Sequence, residues 1–145
     1  MPVLIKLSPS ANDIAAIARA VEAAGADGIT AINTLPGMVI DVHARRPILA
    51  NRTGGLSGPA IRPLAVRCVY EIYRAVDLPI IGTGGVSNGQ DAVEMIMAGA
   101  TAVGIGSAVH GEGPEVFCRI AVEVEELLAE LGYGSVAEVR GVAHT

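Results

Sequence analysis

The chain has 145 residues, is 51% hydrophobic and 3% aromatic, and carries a net charge of −5. No cluster of Lys or Arg offers a basic face, and the aromatics are too few to stack bases, which excludes nucleic-acid recognition by either route. Mean hydropathy is +0.50, yet no apolar run approaches the ~18 residues of a membrane span, so the excess belongs to buried strands.

The first ten residues, MPVLIKLSPS, contain no basic stretch, long apolar core or small-residue cleavage site, so a cytoplasmic location is expected. Val3–Leu7, apolar except for Lys6, predicts a strand that Ser8-Pro9-Ser10 ends. Ile14, Ile17, Ala18, Val21 and Ala24 then follow helical spacing, with Gly25 as the stop. Gly28–Asn33 is the second predicted strand. Residues 34–62, rich in Gly, Pro and Arg, read as a long irregular segment in which Val39–Val42 and Pro47–Ala50 pair as a short hairpin. A loop of this length in a compact domain is more often functional than idle.

Arg62-Pro63 opens the next helix, with Leu64, Val66, Val69, Ile72, Tyr73 and Val76 expected on its buried side. Pro79–Thr83 is the third strand. Ser87 and Gln90 fit a capping box for a helix running to about Ala98. Thr101–Gly106 is the fourth strand, Pro114–Leu131 the last long helix, and Ser135–Arg140 a short helical turn. Cys68 and Cys118 fall inside predicted helices without CxxC spacing and read as reduced, buried thiols.

The chain thus contains four β/α units. Ala24-Gly25-Ala26-Asp27-Gly28-Ile29 aligns with Ala98-Gly99-Ala100-Thr101-Ala102-Val103, a helix ending on Gly and feeding an apolar strand in both. Such alternation implies parallel strands with right-handed crossovers. An open Rossmann-like sheet would show it too, but no GxGxxG follows the first strand and no acidic residue ends the second. A barrel-type arrangement is therefore preferred. A full (β/α)8 barrel needs about 250 residues, so these residues account for half of one.

Two glycine turns, Gly84-Gly85 and Gly106-Ser107, end neighbouring strands within Ile80–Ser107. Glycines there let backbone N–H groups approach an oxyanion, a helix N-terminus adds a favourable dipole, and barrels commonly hold phosphate after strands seven and eight. Lys6, at a strand end, either neutralises an anionic ligand or a reduced flavin, or simply snorkels to solvent. Asn33-Thr34 either reads a planar polar ligand or caps the following loop. The run Gly54–Pro59 either lies against a flat ring or is a flexible turn. Asp41, His43, Arg45, Arg46 and Arg52 either gate a substrate or are solvated loop charges. His43, His110 and His144 are far apart in sequence, so metal catalysis is not expected.

Ile5-Lys6-Leu7-Ser8-Pro9, Ile32-Asn33-Thr34, Pro47-Ile48-Leu49-Ala50-Asn51, GGLSGPAIRP (Gly54–Pro63), IGTGGV (Ile81–Val86) and the Gly104–Ser107 strand end together resemble the dihydroorotate dehydrogenase family. Within it they are most similar to the catalytic subunits of the NAD-linked class 1B enzymes. The likeness covers essentially the whole chain, and the long middle motif is specific. The two glycine turns taken singly are shared by many FMN barrels. The resemblance implies an α/β fold that is the C-terminal half of a (β/α)8 TIM barrel, residues 1–145 forming one domain. It implies FMN as cofactor, with Lys6 near the flavin pyrimidine ring, Ile32 and Gly58 touching the flavin, and Gly84, Gly85, Gly106 and Ser107 holding its phosphate. Asn33 and Thr34 would hydrogen-bond the orotate ring.

The implied reaction oxidises dihydroorotate to orotate in pyrimidine biosynthesis. Electrons would pass through a partner subunit carrying FAD and a [2Fe-2S] cluster to NAD, and the full enzyme would be a homodimer. The family's catalytic base is a cysteine on a loop in the N-terminal half of the barrel, which neither Cys68 nor Cys118 matches. No catalytic residue is therefore expected here, and the chain is expected to be inactive without the missing N-terminal half. Two other readings compete. One is another FMN barrel oxidoreductase, such as the pyrimidine-reducing domain of dihydropyrimidine dehydrogenase. The other is a non-catalytic flavin- or phosphate-binding half-barrel that dimerises to bury its edges.

Overall fold

The computed structural model describes residues 1–145. Its main sheet has four strands, β1 (Leu4–Leu7), β2 (Gly28–Ala31), β7 (Ile80–Thr83) and β8 (Ala102–Gly104), in that spatial order. All neighbours are parallel, with Lys6 opposite Thr30, Thr30 opposite Ile81 and Ile81 opposite Ala102. The connecting helices are α1 (Ile14–Ala23), α2 (Arg62–Tyr73) and α3 (Gly89–Met97). After β8 come α4 (Ala108–Glu112), α5 (Glu115–Glu130) and α6 (Val136–Val139).

Strand order equal to chain order decides between the two sheet architectures. Each right-handed crossover then places its helix on the same side, whereas a doubly wound sheet reverses direction and covers both faces. Side chains alternate along a strand, so Leu7, Ile29, Ala31 and Ile80 share one face. They are buried in one core with Ile14 and Ala18 of α1, Val69 and Ile72 of α2, Met95 of α3 and Ile120 of α5. Gly82 belongs to this face, and a Cβ built there would lie 3.4 Å from both Met95 Sδ and Val69 Cγ2. The opposite face carries Lys6, Thr30, Ile81, Thr83 and Gly104, all exposed or half-buried. This is the one-sided layering of a (β/α)8 barrel, opened to four strands, with β1 and β8 as its edges.

The sequence repeat is a repeat of helix stops. Gly25 and Gly99 have φ of +81° and +117°. After α1, Gly25 N donates to Glu22 O and Ala26 N to Val21 O; after α3, Gly99 N donates to Ile96 O and Ala100 N to Met95 O. Each helix thus ends in a Schellman pair that satisfies its last carbonyls and turns the chain into the next strand.

Residues 34–62 are more ordered than expected. β3 (Leu35–Gly37) pairs antiparallel with β6 (Gly54–Leu56), and inside that ribbon β4 (Ile40–Asp41) pairs with β5 (Arg46–Pro47). The expected inner hairpin is present with a shorter ladder, extended by Ile48 N donating to Val39 O at 3.0 Å. Asp41 Oδ1 accepts from His43 N and Ala44 N, both at 2.9 Å, which fixes the turn.

Three local expectations are corrected. The N-cap of α3 is Asn88, whose side chain accepts from Asp91 N at 2.8 Å, and not Ser87. Leu64 is exposed, and the small residues Ala65 and Cys68 take the crowded inner side of α2, where a Cβ at Gly84 would lie 2.8 Å from Ala65 Cβ. Cys68 is buried as expected, but Cys118 is exposed on α5.

Candidate functional site

The C-terminal ends of the four strands form one edge, and its backbone is fastened before any side chain is considered. Past the end of β2, Ile32 N donates to Thr83 O and Asn33 N to Leu7 O, both at 2.8 Å. The Ala31–Ile32 peptide, just before them, is cis. Thr83 Oγ1 donates to Gly104 O at 3.0 Å, tying β7 to β8.

Three glycine segments converge on this edge. Gly84 and Gly85 have φ of +137° and +78°, a region that side chains disfavour. A Cβ at Gly85 would lie 2.8 Å from Gly58 O and from Arg62 Cβ, so the turn after β7 is packed backbone to backbone against the GGLSGPAIRP run. Gly58, with φ of +89°, in turn faces Ser107: a Cβ on it would lie 3.8 Å from Ser107 Oγ. Gly58 therefore stands between the two turns that the sequence left separate. A Cβ on Gly106 would meet nothing within 4 Å, so that turn opens outward.

The N–H groups of Gly84, Gly85, Gly106 and Ser107 donate to no protein acceptor. Ser107 also makes no side-chain capping bond to α4, which leaves its hydroxyl uncommitted. Four unpaired backbone donors and a hydroxyl, on two turns that flank Gly58, make a cradle with the donor set an anion such as phosphate requires. Two N–H groups of the first turn of α3 are not among these donors. Gly89 N already donates to Glu123 Oε2 at 2.6 Å and Asp91 N to Asn88 Oδ1, so neither is available to an anion.

Lys6 lies on the uncovered sheet face, exposed and without an ion-pair partner, beside Thr30 in register. Asn33 and Thr34 are exposed just beyond β2, and the Thr34 side chain packs directly on Gly55 of β6. Ile32 is only 3% exposed, its Cγ1 directed at Gly84, so any ligand contact from this residue comes from its backbone. The structure therefore brings Gly58 against both Gly85 and Ser107 and sets Lys6, Asn33 and Thr34 along the same edge. Cys68 is buried in α2, where desolvation raises its thiol pKa. An apolar groove of about 510 Å³ between β8 and α5 is lined by residues such as Phe117, Ile120 and Val124. It has few polar groups and does not include the glycine turns.

Charged residues that sequence reasoning did not single out stand behind the turns. Asp91, 2% exposed, accepts from Ser87 N at 2.9 Å and Ser87 Oγ at 2.8 Å, and pairs with Arg62 Nη1. Arg62 Nε is 3.0 Å from Glu94 Oε2 but off the hydrogen-bond line, an ion contact only. Arg119 holds Glu112, Glu123 and Ser87 O. Glu123 sits below the usual carboxylate pKa, chiefly because Gly89 N–H donates to it and then because of Arg119. The only sequence hint was the i, i+4 spacing of Arg119 and Glu123.

The family model described as dihydroorotate dehydrogenase matches residues 1–128. Among curated proteins, "Dihydroorotate dehydrogenase B (NAD(+)), catalytic subunit" of Methanothermobacter thermautotrophicus is 52% identical over 145 residues, covering 99% of this chain and 48% of that protein. Proteins of the same name from Desulforamulus reducens and Bacillus cytotoxicus are 53% and 52% identical, over 99% and 97% of this chain and 47% and 45% of their own length. The chain spans about half the length of the curated relatives it matches.

Proposed function

The chain belongs to the dihydroorotate dehydrogenase family, and on that premise we propose that it is the C-terminal half-barrel of an FMN-dependent enzyme oxidising dihydroorotate to orotate. The observation that carries the reading is the set of four free N–H donors at Gly84, Gly85, Gly106 and Ser107, on two turns that meet Gly58 through Gly85 and Ser107. These would hold the FMN phosphate. Lys6, the cation on the uncovered face, would lie against the flavin pyrimidine ring and offset negative charge there. Gly58 and the Ile32 backbone would border the ring system.

FMN when bound supplies the two-electron acceptor. Making the substrate's C5–C6 bond double would release two electrons, which that acceptor would take, and a proton, which would need a base. Asn33 and Thr34, exposed beside the cradle, would orient the ring through an amide and a hydroxyl that match its alternating donors and acceptors. The base is proposed to come from the other half of the barrel, since Cys68 and Cys118 both lie in the helical layer. In the full enzyme, a homodimer joined by an FAD- and [2Fe-2S]-bearing subunit would pass electrons to NAD. The relatives' name includes NAD(+), which supports that acceptor. No helix is long and apolar enough to cross a membrane.

The test is dihydroorotate-dependent dye reduction by the 145-residue chain, alone and combined with a separately expressed N-terminal half. No turnover alone and turnover on combination are expected. Turnover by the isolated chain would overturn the half-barrel reading.

A further inference from the structure

The phosphate cradle depends on two turns that follow different strands, so something must hold their spacing. Ser87, two residues beyond Gly85, belongs to no helix or strand, yet all of its polar groups are committed. Its N–H and hydroxyl both donate to Asp91 Oδ2, at 2.9 and 2.8 Å. Its carbonyl accepts from Arg119 Nη2 at 2.9 Å.

The two partners lead in different directions. Asp91 is anchored by Arg62, the first residue of α2, whose backbone N and Cβ wall the Gly85 turn. Arg119 grips Glu112 with Nε at 2.8 Å and Nη2 at 2.9 Å. Glu112 is the last residue of α4, the short helix that begins immediately after Ser107. Arg119 Nη1 donates to Glu123 Oε1 at 2.5 Å, and Glu123 also holds Gly89 N. One continuous chain of charge-assisted bonds thus runs from the glycine-rich run, through the turn after β7, to the helix after β8. Burying the Asp91 carboxylate is costly unless every oxygen is satisfied, and here both are.

We propose that Asp91 and Arg119 are positioning residues for the phosphate: holding Ser87 from two sides, they set the spacing of the Gly84-Gly85 and Gly106-Ser107 turns. The inference rests on the phosphate-cradle reading above. It concerns residues that do not touch the ligand and act only through the backbone they hold.

The test compares FMN with riboflavin, the same ring system without the phosphate, on the complete flavoenzyme containing this chain. Dissociation constants are measured by flavin fluorescence for the wild type, Asp91→Asn and Arg119→Gln. The expected result is an FMN affinity about tenfold weaker in each variant, the loss of one charge-assisted hydrogen bond, with riboflavin affinity unchanged. Equal weakening of both flavins, or no change in either, would overturn the proposal. If Asp91→Asn does not fold, Arg119→Gln alone decides. A wild type that binds FMN and riboflavin equally would instead refute the cradle itself.

Discussion

Replacing Gly85 by Ala tests how tightly the cradle is built, and the cost can be worked from the structure. At φ of +78° an L-residue leaves its favoured region, at about 1–2 kcal/mol. The new Cβ would also lie 2.8 Å from Gly58 O and Arg62 Cβ and 2.9 Å from Arg62 N, inside van der Waals contact. Two of those atoms are backbone and cannot rotate away, so an overpacking cost of about 1–3 kcal/mol is added. The sum, about 2–5 kcal/mol, is a large fraction of the ~5–15 kcal/mol that stabilises a typical domain. Urea unfolding of Gly85→Ala and Gly106→Ala, side by side, measures it. With a slope of about 2 kcal/mol per molar, the Gly85→Ala midpoint should fall by roughly 1–2.5 M. Gly106→Ala, with nothing within 4 Å of its Cβ, should shift the midpoint by less than about 0.3 M. Equal midpoints for the two variants would refute the packing account of the turn.

Lys6→Met should leave stability within about 0.5 kcal/mol, because the side chain is exposed and unpaired. It should weaken FMN binding to the complete enzyme, read by flavin fluorescence. In the folded chain Cys118 should react with a thiol reagent while Cys68, buried and with its pKa raised, should react only on unfolding. A count of labelled thiols by mass spectrometry checks this. Because the folded-state pKa of Glu123 is lowered, its charge stabilises the fold above the ordinary carboxylate range, and that contribution is lost as pH falls through and below the range. The Tm difference between wild type and Glu123→Gln should accordingly shrink on acidification.

The β/α alternation and its Gly25 and Gly99 stops were legible because each depends on a local signal, helical periodicity followed by a residue that tolerates positive φ. The ribbons between Leu35 and Leu56 were only half legible. Strands of two or three residues, containing Gly and Pro, are too short to show alternation. The α3 cap was misplaced by one residue because Ser87 with Gln90, and Asn88 with Asp91, offer the same spacing; burial of Asp91 decides for the second. Strand order, which separates a half-barrel from a Rossmann-like sheet, is a long-range property and became visible only in the fold.

The candidate site divides along the same line. Glycines, Lys6 and Asn33-Thr34 were visible as residue types at strand ends. Their convergence on Gly58 was not, since Gly58 lies 27 positions from Gly85 and 49 from Ser107. Nor was the ionic network behind them, where Arg62 meets Asp91 from 29 positions away. The geometry of side chains brought together by the crossovers carries no sequence motif.

The central claim is that this strand edge serves an FMN enzyme acting on dihydroorotate. Anaerobic mixing of the FMN-loaded complete enzyme with dihydroorotate or with dihydrouracil, the same ring without its carboxylate, tests it most directly. Bleaching of the oxidised-flavin absorbance by dihydroorotate and not by dihydrouracil is the expected result. Bleaching by dihydrouracil alone, or by neither, would contradict it.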